Sequence, residues 1–340
     1  MIVYADLRWP DKTGIGVFQR EIIQRAPSGV DVVDLRVKGR IGSPLSPIAI
    51  SNSLARNRAT TGVFFSPGYM PPAWCKVPSI VTVHDLLHLH FHTKFHIAYY
   101  DLILKRLYRK CRNIICVSEH GRGEFLRWSS LSPDRVLAVH NGVSNVFQTD
   151  APGRVFNFPY VFFPASDRVH KNKIRLIQAY AASALTRSDV HLVFTGERTP
   201  FLALEAERCG ISGLLHFAGN VSDDDIVRLY KGALLVAYVS LYEGFGLPIL
   251  EAMAAGVPVL VSNTTAMPEV AGDAAILVDP YSVGDIAYGL NILAFNEEER
   301  VLRIGLGRER VKRYTWDAAA EKIWAALDAV GRFGEKQPIG

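Results

Sequence analysis

The stretch from Leu234 to Ser262, "LLVAYVSLYEGFGLPILEAMAAGVPVLVS", leaves this chain few folds to choose from. Leu234 to Ser240 is a short apolar run rich in β-formers, the pattern of a strand buried on both faces in a parallel sheet. "EGFG" follows as a turn, with Gly244 and Gly246 supplying backbone freedom. Pro248 suits the first position of a helix, Gly256 its stop and Pro258 the exit. Val257 to Ser262 then reads as the next strand. This is a βαβ unit, and its glycine turn lies at the C-terminal end of a strand, the edge at which open α/β sheets bind ligands.

The rest of the chain repeats the alternation. "MIVYADL", "GVFFSPG", "SIVTVHDL", "NIICVS" and "RVLAVHNGV" read as strands, and "GIGVFQREIIQRA" opens on glycines and continues as a helix. Around "TDAPGRVFNFP" (Thr149 to Pro159) Pro, Gly and Asp break the pattern, which places a linker there. "YVFFPAS", a helix from about Asn172, "HLVFTG" and "LLHFAGNV" start a second series that ends in the opening βαβ unit. Strands alternating with helices imply parallel sheets, so the fold class is α/β. A length of 340 residues makes two domains the natural expectation. "RYTWDAAAEKIWAAL" reads as a C-terminal amphipathic helix.

The opening unit also carries chemistry. A helix N-terminus offers N–H groups and a positive dipole end, which suits a phosphate or diphosphate. Glu243 sits in the turn and Glu251 one turn into the helix, so both can face the same crevice. Carboxylates repel phosphate but accept hydrogen bonds from sugar hydroxyls. The set therefore suits a ligand with a diphosphate in the middle and a sugar at each end. A capping acid and a surface acid would explain either glutamate alone, but not the pair together with the glycines, Pro248 and both strands.

Glu-x7-Glu inside "EGFGLPILEAMAAGVPVLVSNTTAMPEVAGDAAILVDP" resembles the donor-site signature of family 4 retaining glycosyltransferases, the group 1 glycosyl transferases, with a mannosyltransferase-like cast. The resemblance implies the GT-B architecture of two Rossmann-like domains, their parallel sheets facing each other across a cleft that holds the active site. It implies an acceptor-binding domain over 1–150, a nucleotide-sugar domain over 155–313, and a helix over 314–340 packing back across the interdomain region. Glu251 matches the acid that holds the nucleotide ribose, and Glu243 the acid near the donor sugar. Gly244, Phe245, Gly246 and Leu247 match the turn whose backbone meets sugar and diphosphate.

Lys171 with Asn172, in "SDRVHKNKIRL", resembles the family step whose lysine neutralises the donor diphosphate. A cation there would stabilise the charge developing on the leaving nucleoside diphosphate. The arginine that many members carry six residues earlier is here Ala165, and Arg168 is the candidate substitute. "FAGNVSDDD" resembles the base-binding turn, with the backbone near Val221 meeting the nucleobase, and Thr195–Gly196 lies on the same sheet edge. Gly14 and Gly16 follow the first strand and match the loop facing diphosphate and acceptor. Gln19 occupies the third glycine position of the dinucleotide fingerprint, which argues against a nicotinamide site.

His84 ends a strand and matches the family histidine that contacts the donor sugar or reacting centre, with Asp85 orienting it or binding acceptor. His88, His90, His92 and His96 follow. On an extended segment alternate histidines would share one face and could bind metal, but without cysteine or carboxylate at matching spacing a mobile acceptor loop is the preferred reading. "DDD" at Asp223–Asp225 is read as the first turn of a helix, so neither metal nor other cofactor is expected. The expected reaction is retaining transfer of a hexose, with GDP-mannose the first choice of donor and a surface or lipid-linked glycan the acceptor. A sugar-nucleotide epimerase and a non-catalytic glycan- or lipid-binding module are the alternatives.

Charge separates the halves. Residues 1–150 hold 19 Lys and Arg against 11 Asp and Glu, and the remainder 19 against 22. The densest basic stretch, Tyr99 to Asn113, carries Lys105, Arg106, Arg109, Lys110 and Arg112 beside Leu102, Ile103 and Leu107. As a helix it could rest on anionic lipid, or equally face the core with a solvated basic side. No nucleic-acid module accompanies the charge. Four cysteines without a CxxC pair, no signal-peptide pattern at "MIVYADLRWP" and no long apolar run give a cytoplasmic expectation, with peripheral membrane contact as an option.

Overall fold

The computed structural model describes residues 1–91, 93–149, 153 and 155–336. His92 of the histidine run, four residues of the expected linker (Asp150, Ala151, Pro152 and Arg154) and the last four residues of the chain lie outside the described residues. The chain forms two compact units, 1–142 with 316–340, and 143–315. The second unit thus starts ahead of the expected linker, because Val143 N–H already bonds to Tyr314 O at 3.0 Å and Phe147 packs edge-on against Tyr230.

The first unit holds a sheet of β1 (Ile2–Ala5), β2 (Asp31–Asp34), β3 (Val63–Ser66), β4 (Ser79–Val83), β5 (Asn113–Cys116) and β6 (Val136–Ala138) in the order β2-β1-β3-β4-β5-β6. The second holds β7 (Tyr160–Phe163), β8 (His191–Phe194), β9 (Leu215–Phe217), β10 (Leu235–Tyr238), β11 (Val259–Ser262) and β12 (Ala275–Val278) in the order β12-β11-β10-β7-β8-β9. Every pairing in both sheets is parallel. Every residue of β3, β4, β7, β10 and β11 is buried, which is why those segments are predominantly apolar, with no alternation of polar residues to solvent. Edge strand β2, by contrast, carries an aspartate at each end.

Aromatic residues dominate the second core: Tyr160, Phe162, Phe163, Phe194, Tyr230 and Tyr238 are fully buried. Each such ring contributes about 1.5–3 kcal/mol through burial alone. The C-terminal helix Trp316–Lys336 belongs with the first unit. Its Trp324 indole N–H donates to Ile22 O at 3.0 Å, and its Asp317 accepts from Arg25 at 2.6 Å. No helix among the described residues is long and apolar enough to cross a membrane.

The second sheet places its first strand, β7, beside its fourth, β10, so the chain winds outward in opposite directions from that pair. This is the Rossmann switch point, where connections leave to either side and open a crevice above the strand ends. The turns after β7 and β10 carry Lys171 and Glu243 to it.

Candidate active site

Backbone bonds fix the two turns before any side chain matters. Leu241 N–H donates to His170 O at 2.7 Å, tying the turn after β10 to the turn after β7. Buried Asn172 sits at φ 62°, and its amide donates to Val239 O at 3.0 Å and Pro280 O at 2.8 Å. Thr265, in the loop after β11, accepts the Glu243 N–H at 3.1 Å. Lys171 and Glu243 are held from three directions.

Their side chains meet. Lys171 Nζ donates to Glu243 Oε1 at 2.6 Å and to Tyr238 Oη at 2.9 Å. The pair is largely enclosed, the side chains being 14% and 12% exposed. Burial pushes the Glu243 carboxyl up, but the adjacent Lys171 ammonium outweighs it and holds the group below its ordinary value. Such a pair adds little net stability, because desolvation offsets much of its attraction; losing one partner strands a charge.

The helix Leu247–Ala254 starts beside this pair, with Pro248 in its first turn as expected. Gly246 caps it at φ 102°, where a side chain would be strained and a Cβ would crowd Ile249 at 3.0 Å. One turn on, Glu251 accepts from Tyr230 Oη at 2.6 Å. Tyr230 comes from the helix Asp223–Gly232 and has no exposed surface. Burial raises the Glu251 carboxyl to about 6, the tyrosine hydrogen bond offsetting part of the effect. Gly244 and Leu247 are partly exposed on this turn, and Phe245 is buried against Tyr314. Asp223–Asp225 form a first helical turn capped by Ser222, which accepts the Asp225 N–H.

The remaining second-unit candidates shape the same edge. Thr195 donates to Ala165 O at 3.2 Å, and Gly196 and Gly219 exchange two backbone bonds of 3.0 Å, bringing the Thr195–Gly196 and Val221 turns together. Arg168 is exposed, and its carbonyl accepts the Lys171 N–H at 2.9 Å. Another cation, Lys173, is committed elsewhere: its Nζ donates to Asp167 at 2.5 Å and to Thr195 O at 3.3 Å.

In the first unit the candidates lean on backbone. His84 Nε2 is 2.7 Å from Pro67 O, which makes it the protonated nitrogen, and the ring meets Phe18 edge-on at 4.9 Å. Burial lowers the imidazole to about 4, with the Pro67 bond a partial offset, so His84 is neutral at neutral pH. Asp85 accepts the Leu87 N–H at 3.0 Å. The Gly16 N–H is taken by Thr13 at 3.0 Å, and a Cβ there would lie 1.9 Å from Pro10 O. Gly16 therefore serves close packing within the loop, while Gly14 has open space around it.

The histidine run, expected as an acceptor loop, is helical in part: His88 and His90 lie on the short helix Leu87–His90 and His96 on the helix Lys94–Tyr99, with the His88 and His96 rings stacked at 6.4 Å. His88 stacks on Tyr100, His96 bonds with Thr93, and His90 pairs with Glu124. No three His, Cys, Asp or Glu side chains among the described residues converge as a metal site.

Sequence reasoning missed Tyr238, which accepts from Lys171, and Tyr230, which donates to Glu251. Tyr238 read simply as a β-former inside an apolar run. The available signal was its hydroxyl, since a tyrosine at the centre of a buried strand must find a hydrogen-bond partner.

Comparison with known proteins follows the same division. A family model described as Glycosyltransferase Family 4 matches residues 39–145, and one described as Glycosyl transferases group 1 matches residues 150–308. O-antigen chain mannosyltransferase B of Escherichia coli is 29% identical over 255 residues, covering 70% of this chain and 67% of its own. The MMP alpha-(1->4)-mannosyltransferase of Mycolicibacterium hassiacum is 31% identical over 231 residues, covering 66% and 56%. Among solved structures, Anabaena HepE in complex with UDP and glucose superposes with a TM-score of 0.77 at 17% identity, over 96% of this chain and 99% of that one. That likeness shows the α/β two-domain GT-B fold. With both family models matched in series and mannosyltransferases among its relatives, the chain belongs to the group 1, family 4 glycosyltransferases.

Proposed function

We propose that the protein transfers mannose from GDP-mannose, with retention, to a hydroxyl of a surface glycan or lipid-linked acceptor. The observation that carries this reading is the Lys171–Tyr238–Glu243 cluster beside the helix start at Gly246, on the switch point of the second sheet. Lys171 and the N–H groups after Gly246 supply positive potential for a diphosphate. Glu251 is placed to accept from the ribose, and Glu243 from the donor sugar. Val221, Thr195 and Gly196 line the base side, with exposed Arg168 as a second cation.

His84 and Asp85, with the Gly14–Gly16 loop, are assigned to the donor sugar and acceptor. A neutral His84 can orient a hydroxyl without adding charge. No carboxylate nucleophile is assigned on the first unit, so a front-face route is preferred, in which the leaving phosphate helps to deprotonate the acceptor. Positive potential from the chain itself supports transfer without a divalent metal. The relatives support mannose, and their being transferases leaves the epimerase and non-catalytic readings without support. Thermal-shift screening against GDP-, UDP- and dTDP-sugars tests the donor. Stabilisation by UDP- or dTDP-sugars alone would sink GDP-mannose, and stabilisation by none would sink the donor site.

The basic stretch supports a second proposal, contact with an anionic membrane surface, on the cytoplasmic side given four unpaired cysteines. A π-helical turn, Tyr100–Leu104, interrupts the helical run Lys94–Tyr108 and buries Tyr100 and Leu104. Leu102 and Ile103 are thereby left 58% and 45% exposed, near Phe95 at 87%. Exposed apolar groups rimmed by Lys94, Arg106 and Lys110 match the chemistry of an anionic interface.

A further inference from the structure

We infer that Tyr230 is a positioning residue for donor binding, which fixes the Glu251 carboxylate through one oxygen so that the ribose meets an acceptor already ordered. The inference rests on the donor site proposed above. Tyr230 Oη donates to Glu251 Oε2 at 2.6 Å. A phenol has one proton to give, so it engages a single carboxylate oxygen. Glu251 itself is partly exposed, and its carboxylate has acceptor capacity left for a ligand. The bond crosses between two helices. Asp223–Gly232 opens at Ser222, beside the Val221 turn assigned to the nucleobase, and Leu247–Ala254 opens at Gly246, beside the proposed diphosphate site. One hydrogen bond thus ties the base side of the site to the ribose side.

The ring is clamped in its turn. It has no exposed surface, and Phe147 and Phe162 meet it edge-on with centroids at 5.3 Å and 5.1 Å. Burial and the neighbouring Glu251 push loss of the phenol proton far above neutral pH, so the hydroxyl donates throughout. Tyr160 shows what packing alone requires: equally buried, it gives its proton to a backbone carbonyl, Leu229 O, at 2.8 Å. Tyr230 instead spends its proton on a flexible acid. A free glutamate side chain would have to be ordered by the ligand at the ligand's expense, and the phenol removes that cost before the donor arrives.

The test is Tyr230→Phe, which keeps the ring and removes the hydroxyl. Calorimetric titration uses GDP and UDP, each beside its 2′,3′-dideoxy form, which lacks the ribose hydroxyls. The variant should bind the ribose form about tenfold more weakly than wild type, the scale of a disturbed bond to a charged group. Its affinity for the dideoxy form should stay within about twofold, because that ligand offers Glu251 no hydroxyl. On a Glu251→Ala background the same change should cost nothing further, since its effect runs through the carboxylate. Equal weakening of both forms, or the same loss on the Glu251→Ala background, would show packing alone and overturn the inference. Unchanged or tighter binding of the ribose form overturns it too. If Tyr230→Phe fails to fold, 3-fluorotyrosine at 230 keeps the ring and strengthens the donor. It should change affinity for the ribose form and leave the dideoxy form alone; no such difference overturns the inference. The donor-site reading fails separately. A wild type that binds both forms equally removes the ribose assignment, one that binds none removes the donor site, and the inference falls with either.

Discussion

The two units share one architecture but finish their ligand edges differently. In the second, charged side chains are bonded to other side chains: Lys171 to Glu243 and Tyr238, Glu251 to Tyr230. In the first, the candidates make local bonds within their own loops and strand ends, His84 to the Pro67 carbonyl, Asp85 to the Leu87 N–H, and the Gly16 N–H to the Thr13 hydroxyl. Under the proposed function the difference matches two tasks. A diphosphate needs a preset field, and preset charges must be held by neighbours until it arrives. An acceptor hydroxyl is neutral and needs shape and a well-oriented ring.

The comparison breaks most easily at Lys171. Lys171→Ala should cost about 10²–10³-fold in transfer, the scale of losing a principal transition-state charge. Wild type should keep full activity in EDTA with the same donor and acceptor. Loss in EDTA, restored by manganese or magnesium, would show that the preset field is a metal's and not the lysine's.

Glu251 comes next. Glu251→Ala should weaken nucleoside diphosphate binding by about 1.5–3 kcal/mol, the worth of a bond to a charged acceptor, while the fold survives. Its pH behaviour has a definite sign. With the folded group raised to about 6, Glu251 gains its proton as pH falls through that value and loses acceptor capacity. Nucleotide affinity should drop there, and Glu251→Gln should flatten that part of the profile. For stability the window is between the ordinary carboxyl value and about 6. There the folded state binds a proton that the unfolded chain does not, so stability falls as pH rises. Calorimetry across this range reads both; an unchanged Kd for Glu251→Ala removes the ribose assignment.

These effects fall on residues of unequal legibility. Glu243 and Glu251 could be found from sequence because glycines, Pro248 and two apolar strands bracket them at local spacing. The parallel sheets were legible for the same reason, since each strand declares itself over a handful of residues. Tyr230 lies 21 residues from the glutamate it holds, and Lys171 lies 67 residues from Tyr238. Only the β7–β10 pairing brings the latter two together, and nothing local announces it. The histidine run failed differently. The run reads as a loop from sequence, but Leu86 and Leu87 are buried and a short helix opens at Leu87, carrying His88 and His90.

His84 sharpens the contrast from the other side. His84→Gln should lower kcat about tenfold, below the usual contribution of a general base, because a neutral imidazole only orients. Nucleoside diphosphate affinity should not move, since the proposed phosphate field belongs to the second unit. Because burial holds the imidazole near 4, kcat should show no limb from this histidine between pH 5 and 8. A limb near pH 6.5 that vanishes in His84→Gln would mean that the ring titrates in the working enzyme, and that the first unit supplies charge after all.

The smallest effect on transfer itself is expected at the basic helical run, the part of the first unit assigned to neither sugar nor nucleotide. Lys105 lies 5.8 Å over the Trp128 ring, and Arg109 donates to Ser129 O, so changing either also disturbs packing. Arg106 and Lys110 are exposed and give the cleaner test. Each basic side chain near an anionic surface is worth about 1 kcal/mol, so reversing two should weaken binding by more than tenfold. Arg106→Glu with Lys110→Glu should therefore abolish binding to phosphatidylserine vesicles, and added salt should do the same to wild type as it shortens the screening length. Leu102→Ser with Ile103→Ser should weaken binding with little change in its salt dependence, because that part is apolar. Transfer to a soluble acceptor should stay unchanged in both variants. Equal wild-type binding to neutral and anionic vesicles, or none to either, would leave this run a solvated face, and the first unit's excess charge would need another partner.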